Sequence, residues 1–135
     1  MAEILPENIK TKEILDWQGI HLLHFSGSSC SQKLRIFLNY KGIKWQSHSI
    51  SIAAGQNYSN WFLGINPKGL VPILVDDGKV IAESNDIIQY LEQKFPEPVL
   101  ISKEQEVSMA DYLKDEDDLH IDIRNICLLY TSDAA

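Results

Sequence analysis

The stretch from Asn66 to Tyr90, NPKGLVPILVDDGKVIAESNDIIQY, constrains the chain more than any other. It reads as a turn, a strand, a hairpin, a second strand and a helix start. Asn66-Pro67-Lys68-Gly69 has turn chemistry, because proline fixes φ and glycine allows positive φ. Pro72 opens the apolar run Ile73-Leu74-Val75. A proline lacks the N–H that a central strand needs, so it belongs at a strand's first residue or edge. A cis bond at Val71–Pro72 would turn the backbone of Val71 outward and leave its N–H and C=O unpaired. Those two groups suit a short extended peptide. Asp77-Gly78 is a hairpin signal between Leu74-Val75 and Val80-Ile81. Ser84 is a good N-cap with Asp86 in the first turn, and Ile87, Ile88, Leu91 and Phe95 follow at helical spacing. A helix mouth beside free backbone groups makes an anion site, which suits a peptide carrying a carboxylate. The plain alternative is that Ser84 only caps a helix and Pro72 only ends a loop.

Upstream, Ile20–Phe25 is a bounded apolar run and reads as a strand. The small hydroxyl-rich loop Ser26–Ser31 follows, then a helix from Gln32 to about Lys41 that Gly42 stops. Trp45–Ile52 reads as a second strand and Tyr58–Leu63 as a short helix. The order is β-α-β-α-β-β-α. Two parallel strands joined by a helical crossover, then an antiparallel hairpin, give an α/β domain: a four-stranded mixed sheet with flanking helices. Residues 1–19 read as a polar N-terminal extension, with a short helix around Lys12–Trp17. Phe95-Pro96-Glu97-Pro98 ends the last helix of the domain, and residues 97–101 form a linker. Glu104–Asn125 is helical but sparsely apolar, so it cannot bury a face alone. The chain is expected to stop early in this second region, with a tail from Cys127 that departs from the helical pattern.

Composition excludes several classes. At 44% hydrophobic and 23% charged, the 135 residues are those of a soluble globular protein. No apolar run approaches the roughly 20 residues of a membrane span. No signal or transit peptide is visible, so a cytoplasmic protein is expected. The net charge is −7, and residues 101–126 alone contribute −5, from eight acids and three bases. That reads as solvated helix surface, and no basic patch points to nucleic acid. Cys30 and Cys127 form no CxxC, and with the scattered histidines they offer no zinc set, so no metal is expected.

Ser28-Ser29-Cys30-Ser31 lies between a strand and a helix, where unpaired N–H groups and the helix dipole favour an anion. A serine hydroxyl donating to a sulfur favours its charged form. Ser28 or Ser29 would then activate a bound thiol, or Cys30 would itself be the nucleophile. The alternative is that the hydroxyls only cap the helix and Cys30 is a small packed residue.

Taken together, the segments from about His21 to Pro96 resemble the N-terminal, thioredoxin-like domain of cytosolic glutathione S-transferases. SSCSQKLRIFLNYKGI looks most like the zeta class, which includes maleylacetoacetate isomerases and related glutathione-dependent dehalogenases. NPKGLVPILVDDGKVIAES is similar to the family's glutathione-binding segment. The resemblance implies that Val71, beside a cis Pro72, pairs with the cysteinyl backbone of glutathione. It implies that Glu83 takes the γ-glutamyl amine and Ser84 its carboxylate. Ser28, Ser29 or Cys30 would face the sulfur, and Gln56 or Asn57 would reach the glycyl end. Gln32 and Lys33 stand where zeta members usually carry an aromatic or histidine and then an arginine, whereas Arg35 matches. The implied domains are residues 20–96 for glutathione and 102–135 for the first helix of an all-helical domain that holds the electrophile. The implied activity is a glutathione transferase with glutathione as co-substrate, a small electrophilic substrate, and a homodimer at full length. A non-catalytic glutathione-binding module and a Cys30-dependent thiol transferase or dehalogenase are the alternatives.

Overall fold

The computed structural model describes residues 2–100 and 102–133, with side chains up to residue 122. Its sheet is built on β2 (Ile20–His24), which runs through the core and is buried at every position. From β2 the chain enters α1 (Ser29–Tyr40), then β3 (Trp45–Ser49), a short helix α2 (Asn60–Leu63), β4 (Ile73–Asp76), β5 (Lys79–Ile81) and α3 (Ser84–Lys94). This is the expected order. β3 is parallel to β2, while β4 and β5 are antiparallel neighbours on the other side.

The sheet has five strands rather than four. The fifth is β1 (Glu3–Ile4), which pairs antiparallel with β5 and completes the order β1-β5-β4-β2-β3. The N-terminal extension is therefore part of the domain. Ile9 and Ile14 are almost fully buried, each worth roughly 1.5–3 kcal/mol of apolar burial. Two residues of strand carry no periodicity of their own, so only the free edge of β5 reveals them.

Alternation along the strands makes two cores. Ile20, Leu22, Leu74 and Ile81 face Leu34, Phe37 and Leu38 of α1 and Ile87, Ile88 and Leu91 of α3. Leu23, Ile73, Val75 and Val80 face Ile9, Ile14, Phe62 and Ile65 on the opposite side. The central strands are buried on both faces, which is why Ile73-Leu74-Val75 is continuously apolar.

Local signals fix the turns. The β4–β5 hairpin turns through Asp77 (φ 48°) and Gly78 (φ 82°), as a type I′ turn requires. A Cβ on Gly78 would lie 2.1 Å from the Leu15 carbonyl oxygen, so the hairpin and the N-terminal segment meet backbone to backbone. Helix α1 ends in a Schellman motif at Gly42, with Ile43 N–H donating to Leu38 C=O and Gly42 N–H to Asn39 C=O. The buried ammonium of Lys41 beside it donates to the Phe95 carbonyl at 2.8 Å and tethers the end of α1 to the end of α3.

The chain divides after Pro98 into two compact units. The second contains α4 (Glu106–Asp133), whose backbone continues past the expected end at Asn125. The Cys127 side chain, and Ala134 and Ala135 of the expected tail, lie outside the described residues.

Candidate functional site

Register brings the sequence-predicted residues to one end of the sheet. Leu23 pairs with Ile73, so the exit of β2 lies beside the entry of β4. Leu74 pairs with Ile81, so β5 ends at that same edge and α3 begins there. The loop leading to Ser28, the Val71–Pro72 step and the Glu83-Ser84 start of α3 therefore converge. A side-chain tie spans two of them: Lys33 on α1 donates to Asn85 Oδ1 on α3 at 2.7 Å.

Ser28 is the N-cap of α1, its Oγ accepting from Ser31 N–H at 3.2 Å. An accepting Oγ keeps its own O–H available as a donor. Ser29 is the first helical residue and is exposed, whereas Cys30 is half-buried.

The Val71–Pro72 bond is cis. Among the described residues, nothing hydrogen-bonds to the backbone N–H or C=O of Val71. The three residues before it are held firmly. Buried Asn57 donates to Gly69 C=O at 3.0 Å, and buried Asn66 donates to Leu70 C=O at 2.9 Å. Asn66 Oδ1 also accepts from Lys68 N–H. Gly69 adopts φ +66°, and a Cβ there would meet the Tyr58 ring at 3.0 Å.

At α3 the cap differs from the expectation. Glu83, not Ser84, is the N-cap, at φ 64° and ψ 117° and with no side-chain cap bond. A non-glycine residue in this conformation costs of order 1–3 kcal/mol and is found where a site demands it. The turn at Glu83 starts the helix one residue early, so Ser84 becomes its first residue, buried, at a helix mouth with no capping side chain. Such a mouth attracts a carboxylate. The Glu83 carboxylate is exposed and lies 3.3 Å from Lys68 Nζ. An open cleft of about 510 Å³ runs from these two residues to Glu3, Ile4 and Asn8 of the N-terminal segment.

The two residues read as reaching a ligand's far end are placed differently from each other. Asn57 is buried and holds the Gly69 loop, with its Oδ1 lacking a partner among the described residues. Gln56 is exposed but folds back, its Oε1 accepting from Ser51 N–H at 2.7 Å.

Histidines line the adjacent strands. His24 and His48 both have their pKa lowered, in each case chiefly by burial. Arg35 and His48 add to the effect on His24, and His21 adds to that on His48. His21 Nε2 donates to the Gln18 carbonyl at 2.9 Å, so its Nδ1 accepts from His48 Nε2, also at 2.9 Å. Among the described residues, no group of three or more His, Cys, Asp or Glu is placed to hold a metal, and no helix is long and apolar enough to cross a membrane.

Residues 27–94, half of the chain, match the family model for the glutathione S-transferase N-terminal domain. The chain belongs to the glutathione S-transferase family. It is 43% identical over 82 residues to a zeta-class glutathione S-transferase of Euphorbia esula, covering 60% of this chain and 36% of that one. It is 38% identical over 80 residues to a maleylacetoacetate isomerase of Pseudomonas aeruginosa, covering 57% and 38%. Among solved structures, human glutathione transferase theta-2 in complex with glutathione aligns with a TM-score of 0.69 at 28% identity, covering 74% of this chain and 42% of that one. The fold is the family's thioredoxin-like fold, and β1 lies before the matched residues. The chain spans about two fifths of the length of the curated relatives that it matches.

Sequence reading noted Arg35 only as a match to the family pattern and Asn66 only as a turn residue, and it missed His24 and the Lys33–Asn85 tie. Arg35 lies seven residues after Ser28, two helical turns on and so on the same side of α1. That spacing is a usable signal. Lys33 and Asn85 are 52 residues apart and carry none.

Proposed function

We propose that this chain binds glutathione and activates its sulfur for attack on an electrophilic small molecule, as a zeta-like glutathione transferase. The observation that carries the reading is the pair of unengaged backbone groups on Val71 next to the strained Glu83 and the uncapped mouth of α3. A tripeptide laid along this edge would pair its cysteinyl N–H and C=O with Val71 beside Pro72. Its γ-glutamyl carboxylate would sit on Ser84 and the first N–H groups of α3, with the amine on Glu83. Gln56 or Asn57 would lie towards the glycyl end. The relatives named as zeta-class transferases and as maleylacetoacetate isomerase support the class.

In this arrangement the thiol faces Ser28, Ser29 and Cys30. Ser28 accepts from Ser31 N–H, which leaves its hydroxyl hydrogen free to donate to the sulfur. Donation to sulfur, together with the N-terminal dipole of α1, favours the thiolate. The thiol proton leaves to solvent, the C–S bond forms on the electrophilic carbon, and the leaving group departs with its electron pair. No metal is called for. Residues 20–96 carry the glutathione site, in a domain that the N-terminal segment completes through β1. The region from residue 102 is the first helix of a helical domain that holds the electrophile. The proposal includes a cytoplasmic protein that pairs with a second copy at full length, which light scattering tests.

Calorimetric titration of the chain with glutathione tests the site. Binding that weakens about tenfold in Ser84→Ala is expected, whereas no binding by the wild type overturns the reading. Turnover of an aromatic halide lost in Ser28→Ala or Ser29→Ala but kept in Cys30→Ala marks serine-type activation. Loss only in Cys30→Ala marks nucleophilic chemistry at that thiol.

A further inference from the structure

Arg35 has no part in the site described above, yet its guanidinium makes two contacts to the loop that leads to Ser28 and a third to His24 at the end of β2. It donates from Nη1 to the Phe25 carbonyl at 3.3 Å and from Nη2 to the Ser26 carbonyl at 3.4 Å. Nη1 also lies 3.0 Å from His24 Nδ1. Side chains on a helix lean towards its N-terminus, so a residue two turns into α1 reaches back over its first turn. A planar fork of donors holds several acceptors in one fixed geometry, whereas a lysine ammonium is a compact charge on a flexible stem.

The partners fix the histidine's tautomer. Arginine carries no acceptor and keeps its proton, so His24 Nδ1 must accept. The proton of neutral His24 is then on Nε2, which donates to Ser47 Oγ at 2.6 Å. A continuous chain results: Ser47 of β3, buried His24 of β2, Arg35 of α1, and the carbonyls of Phe25 and Ser26. Two further bonds close the loop on itself, Ser28 N–H to Phe25 C=O at 3.1 Å and Phe25 N–H to Ser31 Oγ at 3.3 Å.

We propose that Arg35, oriented by His24, is a positioning residue that holds the Phe25–Ser28 loop so that the Ser28 hydroxyl meets the bound sulfur. Arg35 touches no reacting atom. It sets where one does, and a displacement of about 1 Å is enough to cost on the order of a hundredfold in rate. The sulfur readout of this inference rests on the glutathione-binding reading, but the loop readout does not.

The test uses the full chain with Arg35→Met, Arg35→Lys and Ser47→Ala, each first shown to melt cooperatively. Hydrogen exchange reads the Ser28 and Ser31 amides. Ultraviolet absorbance reads the ionisation midpoint of bound glutathione, and calorimetry reads its affinity. In Arg35→Met the two amides are expected to lose protection at least tenfold and the midpoint to rise by about one pH unit, with affinity changed less than about threefold. Ser47→Ala is expected to give a smaller change in the same direction. Unchanged amide protection in Arg35→Met overturns the proposal, whether or not glutathione binds. If Arg35→Lys restores the midpoint while the amides stay unprotected, the charge acts through space and the bracing role is likewise overturned. Absence of glutathione binding in the wild type, with protection still lost in Arg35→Met, defeats the functional reading and leaves the loop brace standing.

Discussion

The two sides of the candidate site are held by different means. The side at Val71, Glu83 and Ser84 offers main-chain groups, presented by buried asparagine amides and one strained residue. The side at Ser28–Cys30 offers side chains at the start of α1, behind a loop held by a helix cap and by Arg35. Main-chain groups cannot be mutated away, so the first side is vulnerable through what shapes its backbone and through the Glu83 and Ser84 side chains. The second is vulnerable at the residues themselves. Ligand affinity and sulfur activation should therefore be separable.

The largest effect is expected from Asn66→Ala. It removes a donor to Leu70 C=O and an acceptor for Lys68 N–H, both part-buried bonds, and their loss costs about 1–3 kcal/mol. Urea unfolding should show this loss, and calorimetry should show weakened glutathione binding although Asn66 touches no ligand. Retained affinity would mean that the backbone side does not depend on its amides.

Next comes Glu83→Gly, which relieves the strained cap. Stability should rise by about 1 kcal/mol while glutathione affinity falls, because the carboxylate is gone. The exposed Lys68–Glu83 pair lost in the change contributes little by comparison. A variant that is less stable would show that the strain is not carried at this residue.

Ser28→Ala should cost roughly 0.5–2 kcal/mol through the lost cap. Its sharper signature is the split that separates the two sides: the bound thiol's ionisation midpoint moves up while affinity stays nearly constant. Equal loss of both would merge the two halves into one.

The smallest effect concerns acid. His24 and His48 have folded pKa values below the ordinary 6.5. On acidification the unfolded chain takes up their protons first, so their stabilisation is full above about pH 6.5 and is lost as pH falls below it. Chemical denaturation at about pH 7.5 and about pH 5 should show a drop in the wild type that is smaller in His48→Gln. An identical drop would exclude His48 from the acid response.

Legibility follows the same physical line. The Asp77-Gly78 hairpin and the Gly42 helix stop were readable because each is set by the φ of one or two residues. The buried run Ile73-Leu74-Val75 was readable because both its faces are covered. Placing Ser84 at the mouth of α3 was right to within one residue, and the error arose because the turn at Glu83 is imposed by surrounding structure against its own propensity. β1 was not readable, since two residues show no period. Ile9 and Ile14 looked like part of a polar lead-in, although they fill the core opposite α1 and α3.

By itself, then, the amino-acid order determined the element sequence, the turns, the glutathione S-transferase resemblance and the segments that converge at the candidate site. These depend on neighbours within a few residues, where backbone preference and apolar spacing act directly. Only the tertiary structure decided that the first nineteen residues join the domain, that Asn57 and Asn66 support the loop before Val71, and that Arg35 and His24 reach the loop before Ser28. Those outcomes rest on hydrogen bonds and burial between distant segments, and such partners exist only once the chain has closed on itself.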